Sequence, residues 1–274
     1  MSSTSSPTSP SSQPPPAPKS APPVSIQPTQ LAQTYATIHP LLLLTLLAAR
    51  FDAFVADPVA ELTSDLPLLA ILQVAYMTIC LPPAGDDPHH ADDKDRESKK
   101  SSTAGGMVLR PGKPGYRRRA NTGTPGRGGI MSKVVPSLLS LTLTTLLATP
   151  VLALCLVLFG APVTTHHAET ALCAAHMAVL AATALIYTHG VDGPVWKEVW
   201  GVFRPGDAVW GAALGTCVGA WLGAVPIPLD WDRPWQAYPI TILTGAYIGH
   251  GVGSLLGRTL LFGKRIALAP SFQG

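Results

Sequence analysis

"AVWGAALGTCVGAWLGAVPIPLDWDRPWQAYPITILTGAYIGHGVGSLLGR", residues 208–258, holds two apolar runs joined by a short polar turn. In the first run Gly211, Gly215, Gly219 and Gly223 recur every four residues; in the second, Gly245, Gly249, Gly253 and Gly257 do the same. Residues at i and i+4 share a helix face. Read as helices, the two runs each carry a groove bare of side chains, about 18 Å long at 1.5 Å rise per residue. In lipid no strong hydrophobic drive pulls helices together, and close backbone contact through small residues supplies much of the attraction. The eight glycines are therefore the candidate helix-packing residues. The short turn predicts that the two runs pack on each other as an antiparallel hairpin. Two sharper readings stand beside it: one groove receives a helix from a partner protein, or the glycines line a lipid or solute passage.

The composition around this stretch agrees with a membrane setting. Of 274 residues, 47% are hydrophobic and 13% charged, where soluble domains average nearer a quarter charged. Spanning the hydrocarbon core takes roughly 20 residues. Six segments suit: 31–49, a second centred on 66–82, 134–159, 171–187, 208–229 and 237–256. The expected fold is an all-α polytopic membrane helix bundle of about six transmembrane helices. Residues 31–82 carry the first two spans and 134–263 the other four.

The rest of the chain is polar. Residues 1–30 hold nine serines and nine prolines with no apolar core, and read as a disordered tail rather than a signal peptide. The first hydrophobic helix then serves as an uncleaved insertion signal. Residues 83–133 run from mixed charge to a basic, glycine-rich stretch and read as a disordered cytosolic loop. Arg117, Arg118 and Arg119 there suit anionic headgroups, and no nucleic-acid partner is expected. Residues 264–274 form a short tail. With six spans, 17 of the 19 Lys and Arg fall on the side of both termini, leaving only Arg50 and Arg233 opposite. Positive charge gathers on the cytosolic side, so both termini are expected in the cytosol and the "DWDRPWQ" turn, residues 230–236, across the membrane.

Candidate chemistry is sparse. "THHAET" places His166, His167 and Glu169 in the loop before the fourth span. Adjacent histidines cannot easily face one ion on a regular helix, so no metal site is assigned. His176 and His250 lie within spans, where an imidazole either serves a function or hydrogen-bonds across helices. At the turn, Pro226 and Pro228 end the fifth helix, Trp231 and Trp235 suit the headgroup region, and Asp230, Asp232 and Arg233 stand close enough for a local ion pair. His166, His167, Glu169, Asp230, Trp231, Asp232, Arg233 and Trp235 thus form an expected docking or headgroup surface. Cys80, Cys155, Cys173 and Cys217 read as small hydrophobes in helices. No phosphate loop, "GxSxG", "HExxH" or dinucleotide fingerprint occurs. No cofactor and no catalytic residue are assigned. The rival readings are a membrane-embedded phosphotransferase using His166, His167, Glu169 and Asp230, and a lipid passage along the glycines.

Two blocks carry a resemblance. "GAPVTTHHAETALCAAHMAVLAATALI", residues 160–186, and "GAWLGAVPIPLDWDRPWQAYPITILTGAYIGHGVG", residues 219–253, resemble the Pig-F family of glycosylphosphatidylinositol (GPI) anchor biosynthesis. The likeness covers residues 159–257 closely, through "FGAP" at 159–162, Glu169-Thr170 and Gly219 to Ile240. It implies a multi-pass protein of the endoplasmic reticulum membrane. It further implies a stabilising subunit, not an enzyme in itself, beside a larger GPI ethanolamine phosphate transferase catalytic subunit with a lumenal domain. That enzyme moves ethanolamine phosphate from phosphatidylethanolamine to mannose of the GPI precursor, and any zinc would be the partner's. The lipid partners implied are membrane lipid, the GPI precursor and phosphatidylethanolamine.

Overall fold

A computed structural model describes residues 22–85 and 131–265, apart from Val163 and Asp230. The expectations for residues 1–21, for most of the 83–133 loop with its arginine cluster, and for 266–274 lie outside the described residues. Among those described the fold is helical, and the pairing of Gly206 with Phe262 is an isolated bridge. The helices are α1 (Gln30–Ala49), α2 (Phe51–Ala56), α3 (Pro58–Cys80), α4 (Met131–Leu158), α5 (His167–His189), α6 (Gly193–Trp200), α7 (Ala208–Gly223) and α8 (Ile240–Arg258). A π turn at Thr144–Ala148 interrupts α4, and Ala182 marks a break within α5.

Helix starts follow side-chain capping. Thr29 accepts from the Ala32 N–H, Asp57 from Ala60, with Pro58 at the first helical position, and Asp207 from Trp210. Each satisfies one of the amides a helix start leaves bare. Five helices, α1, α3, α4, α5 and α8, are long and apolar enough to cross a membrane. The segment expected to cross at 208–229 is a shorter apolar helix. α7 stops at Gly223 instead of continuing to Leu229, and residues 224–229 turn. Pro226 and Pro228 lack the N–H that a continuing helix needs. At 16 residues α7 is about 24 Å long, short of a hydrocarbon core of about 30 Å.

Three other boundaries differ from the sequence reading. α3 begins at Pro58, because Asp57 caps it and Glu61 and Asp65 find a cation in Arg50. α5 begins at His167 rather than Ala171, so His167 and Glu169 stand on its first turn instead of in a loop. α6 was not expected; it lies in the connection between α5 and α7.

α5 is the buried centre of the bundle and α4 its most exposed rod. Two packed clusters stack along the bundle. One joins Ala36, Tyr76, Met77, Tyr187 and Trp210; the other joins Leu43, Phe54, Leu69, Met177, Leu243 and Tyr247. Backbone bonds gather the ends of the described segments at one face: Gln27 N–H to Cys80 O, Ala84 N–H to Tyr187 O, and Gly206 N–H to Lys264 O. α1–α2, α4–α5 and α7–α8 turn at the opposite face.

Candidate functional site

The two glycine ladders face one another. A Cβ on Gly215 would stand 2.9 Å from the carbonyl carbon of Gly249 and 2.9 Å from Cα of Gly253; one on Gly219 would stand at the same distances from the carbonyl carbon of Gly245 and Cα of Gly249. Gly211 opposes Gly253 in the same way. The register leaves both ends unmatched: Gly223 lies against Thr241 and Gly257 against Asp207. Every ladder position therefore meets backbone, which cannot move aside as a flexible side chain can.

Asp207 closes the chain-end side of this hairpin. Its side chain is fully buried and accepts from Trp210 N–H at 2.8 Å and from Val24 N–H at 3.0 Å. Burial pushes its carboxyl above the ordinary range, while those amides and the Arg204 charge pull the other way. Asp207 was not singled out from sequence, although "GD" followed by an apolar run is a readable cap signal.

At the other side, Gln236 organises the turn. Its Nε2 donates to Pro226 O and Leu229 O, each at 2.6 Å, and its Oε1 accepts from Arg233 N–H at 3.3 Å. One buried amide thus holds the end of α7, the turn and the 3₁₀ segment Pro234–Gln236 together. Gln236 too was missed: one amide in a polar turn has no spacing pattern to mark it. Trp231 and Trp235 lie with ring centres 5.9 Å apart. Asp232 takes φ 50°, a left-handed conformation that aspartate tolerates better than most residues. Among the described residues no ion pair forms between Asp232 and Arg233, and Gln236 bonds across the turn. Asp230 lies outside the described residues.

The turn joins the loop before α5. Tyr238 OH donates to Thr170 Oγ1 at 2.9 Å, and Thr170 Oγ1 donates to Pro162 O at 3.0 Å. Burial pushes the Tyr238 phenol up to about 12, so it stays a neutral donor at neutral pH. His166 Nδ1 lies 3.1 Å from Glu169 Oε1, with its ring 6.4 Å from that of Tyr238. His166, His167, Trp231, Asp232 and Arg233 are exposed around this junction. The structure brings the two sequence blocks to one face; among the described residues no three His, Cys, Asp or Glu converge.

The intramembrane histidines are held by neighbouring helices. His176 sits between Leu62 O and Tyr247 OH, each at 3.0 Å. A carbonyl only accepts, so Nε2 carries the proton and Nδ1 accepts from the phenol. His250 Nδ1 lies 3.4 Å from Thr216 Oγ1. His39, missed in the sequence, stacks on Tyr76 at 4.5 Å between ring centres. Beside the α1–α2 corner, Arg50 pairs with Glu61 and, at 3.3 Å, with Asp65; it also donates to Ser64 Oγ at 3.0 Å. One arginine thus serves two carboxylates of α3 at the link between the first two helices.

Comparison with known proteins agrees with these two blocks. A protein of Aspergillus fumigatus named glycosylphosphatidylinositol anchor biosynthesis protein 11 is 58% identical, over 94% of this chain and 90% of its own length. A Neurospora crassa protein of the same name is 42% identical, over 89% of this chain and 80% of its own. A human protein named GPI ethanolamine phosphate transferase, stabilizing subunit, is 35% identical over 40% of this chain and 52% of its own. No solved structure matches. The model of the GPI biosynthesis protein family Pig-F matches residues 38–258, which hold the glycine hairpin, both motif blocks and the Tyr238–Thr170 junction, and the chain belongs to that family.

Proposed function

We propose that this chain is a non-catalytic stabilising membrane subunit of a GPI ethanolamine phosphate transferase, the complex that adds ethanolamine phosphate to a GPI mannose. It resides in the endoplasmic reticulum membrane with both termini in the cytosol. The name of the human relative supports the role, and the distribution of Lys and Arg supports the orientation. The observation that carries the reading is the junction of Tyr238 with Thr170, which joins both motif blocks into one exposed, polar rim. That rim faces the lumen and meets the larger catalytic subunit. The glycine hairpin beneath it keeps the rim rigid, and His166, His167, Trp231, Asp232, Arg233 and Trp235 are its contact side chains. The lipid substrates, phosphatidylethanolamine and the GPI precursor, are bound by the complex.

Purification of the native complex tests this, followed by transfer assays on the catalytic subunit with and without this chain. The chain alone is expected to transfer nothing, and its removal to lower the amount of folded catalytic subunit. Transfer by the purified chain alone would overturn the reading.

A further inference from the structure

The connection between α5 and α7 is built to expose apolar side chains. Residues 190–207 return the chain from the end of α5 to the start of α7 at the face that holds both ends of the described chain. The inner side of α6 is packed: Val199 is buried, Val195 and Trp196 pack on the same cluster, and Trp196 Nε1 donates to Gly190 O at 2.9 Å. The outer side is not: Val191 is 72% exposed, Trp200 70% and Phe203 69%.

The backbone after α6 is arranged for that exposure. Val202 takes φ 60°, which is an outlier for a β-branched residue. A helix end often uses a left-handed residue, usually glycine, and Gly201 stands next to it. Yet Gly201 keeps φ −75°, and its bare Cα serves the ring of Phe203 instead. A Cβ there would stand 2.5 and 2.6 Å from two carbons of that ring. The chain thus places its strain on a valine and its glycine beneath a phenylalanine, and the phenylalanine remains exposed. Val202 itself packs against the inner cluster, and the turn that sets it there leaves the next residue, Phe203, outside.

We propose that α6 and its following turn form a monotopic membrane-surface element, with Val191, Trp200 and Phe203 inserted at the boundary between headgroups and acyl chains. The occupant is bilayer lipid rather than protein. The element follows directly on α5, which is long and apolar enough to cross a membrane, and leads into the apolar α7, so it falls at headgroup depth at the end of a spanning helix. A short amphipathic helix with tryptophan on its outer side suits that layer, and exposed Lys197 suits its charged edge. Arg204 and Asp207, between the element and α7, are both buried, so the connection is packed at its α7 end.

The test uses the full-length chain with its four native cysteines replaced by alanine. Phe203→Cys is labelled with an environment-sensitive dye and placed in phosphatidylcholine vesicles. Val191→Cys, in an exposed turn, is a second reporter should the first variant misfold, and the same dye coupled to free cysteine in solution is the aqueous reference. Lipid spin-labelled near the glycerol should quench the reporter at least threefold more than in the reference, with iodide quenching at least threefold weaker. Iodide quenching equal to the reference would overturn the proposal. Protection from both quenchers, meaning a protein covers the surface, would overturn it as well.

Discussion

Gly215 and Gly249 touch backbone to backbone: a Cβ on either would stand 2.9 Å from the other's carbonyl carbon. Nothing at that contact can rotate away. Gly215→Leu or Gly249→Leu must therefore separate α7 from α8, at a cost of about 1–3 kcal/mol from overpacking. The expected outcome is a lower yield of folded protein on size-exclusion chromatography, with Leu222→Ala, at an exposed position of α7, close to wild type. Normal yield from both glycine variants would show that the hairpin does not need this contact.

Asp207 joins three parts of the chain: Val24, the start of α7, and Gly257 on α8. Asp207→Ala loses a helix cap, about 1 kcal/mol, and leaves the Val24 amide without an acceptor. Thermal unfolding in detergent should show the lowest midpoint for Ala and an intermediate one for Asn, which keeps one acceptor oxygen but turns an NH2 donor against the second amide. The pH response has a definite sign. Burial raises the Asp207 carboxyl in the folded state, so its protonated form is favoured by folding. That contribution is complete below the ordinary carboxylate range and is lost as pH rises through the raised value. Asp207→Asn should remove this slope.

The Tyr238–Thr170 bond is the link between the two motif blocks. Tyr238→Phe and Thr170→Val each remove it, at about 0.5–1.5 kcal/mol. A double-mutant cycle on thermal stability should show that the pair costs less than the sum of the single changes. Strict additivity would mean that the bond contributes nothing.

Orientation is tested by labelling. A cysteine at Asp232 should react from the lumenal side of sealed microsomes, and one at Arg118 from the cytosolic side. Reaction of both from one side would sink the six-crossing arrangement.

What the sequence made legible follows from periodicity. Glycines every four residues define a bare helix face whatever lies opposite, so the hairpin was readable while its register, with Gly223 against Thr241 and Gly257 against Asp207, was not. Long uncharged runs marked the crossings. Arg50, Glu61 and Asp65 blurred one of them, because an arginine that meets two carboxylates through space looks in sequence like three separate charges. Gln236, Tyr238 and His39 are single polar residues whose roles depend on neighbours distant in the chain or on the path of a turn. α6 was hidden because eight residues with a glycine and a proline at the start carry too little pattern. The two motif blocks were visible, and their meeting at Thr170 and Tyr238 needed the fold.

Ethanolamine phosphate transfer per mole of purified complex, compared between wild type and the Asp230→Asn and Asp232→Asn variants, tests the central claim most directly. A supporting, non-catalytic turn predicts less complex with nearly unchanged activity in each complex that forms. A complex that assembles in normal amount, yet transfers orders of magnitude more slowly, would contradict it.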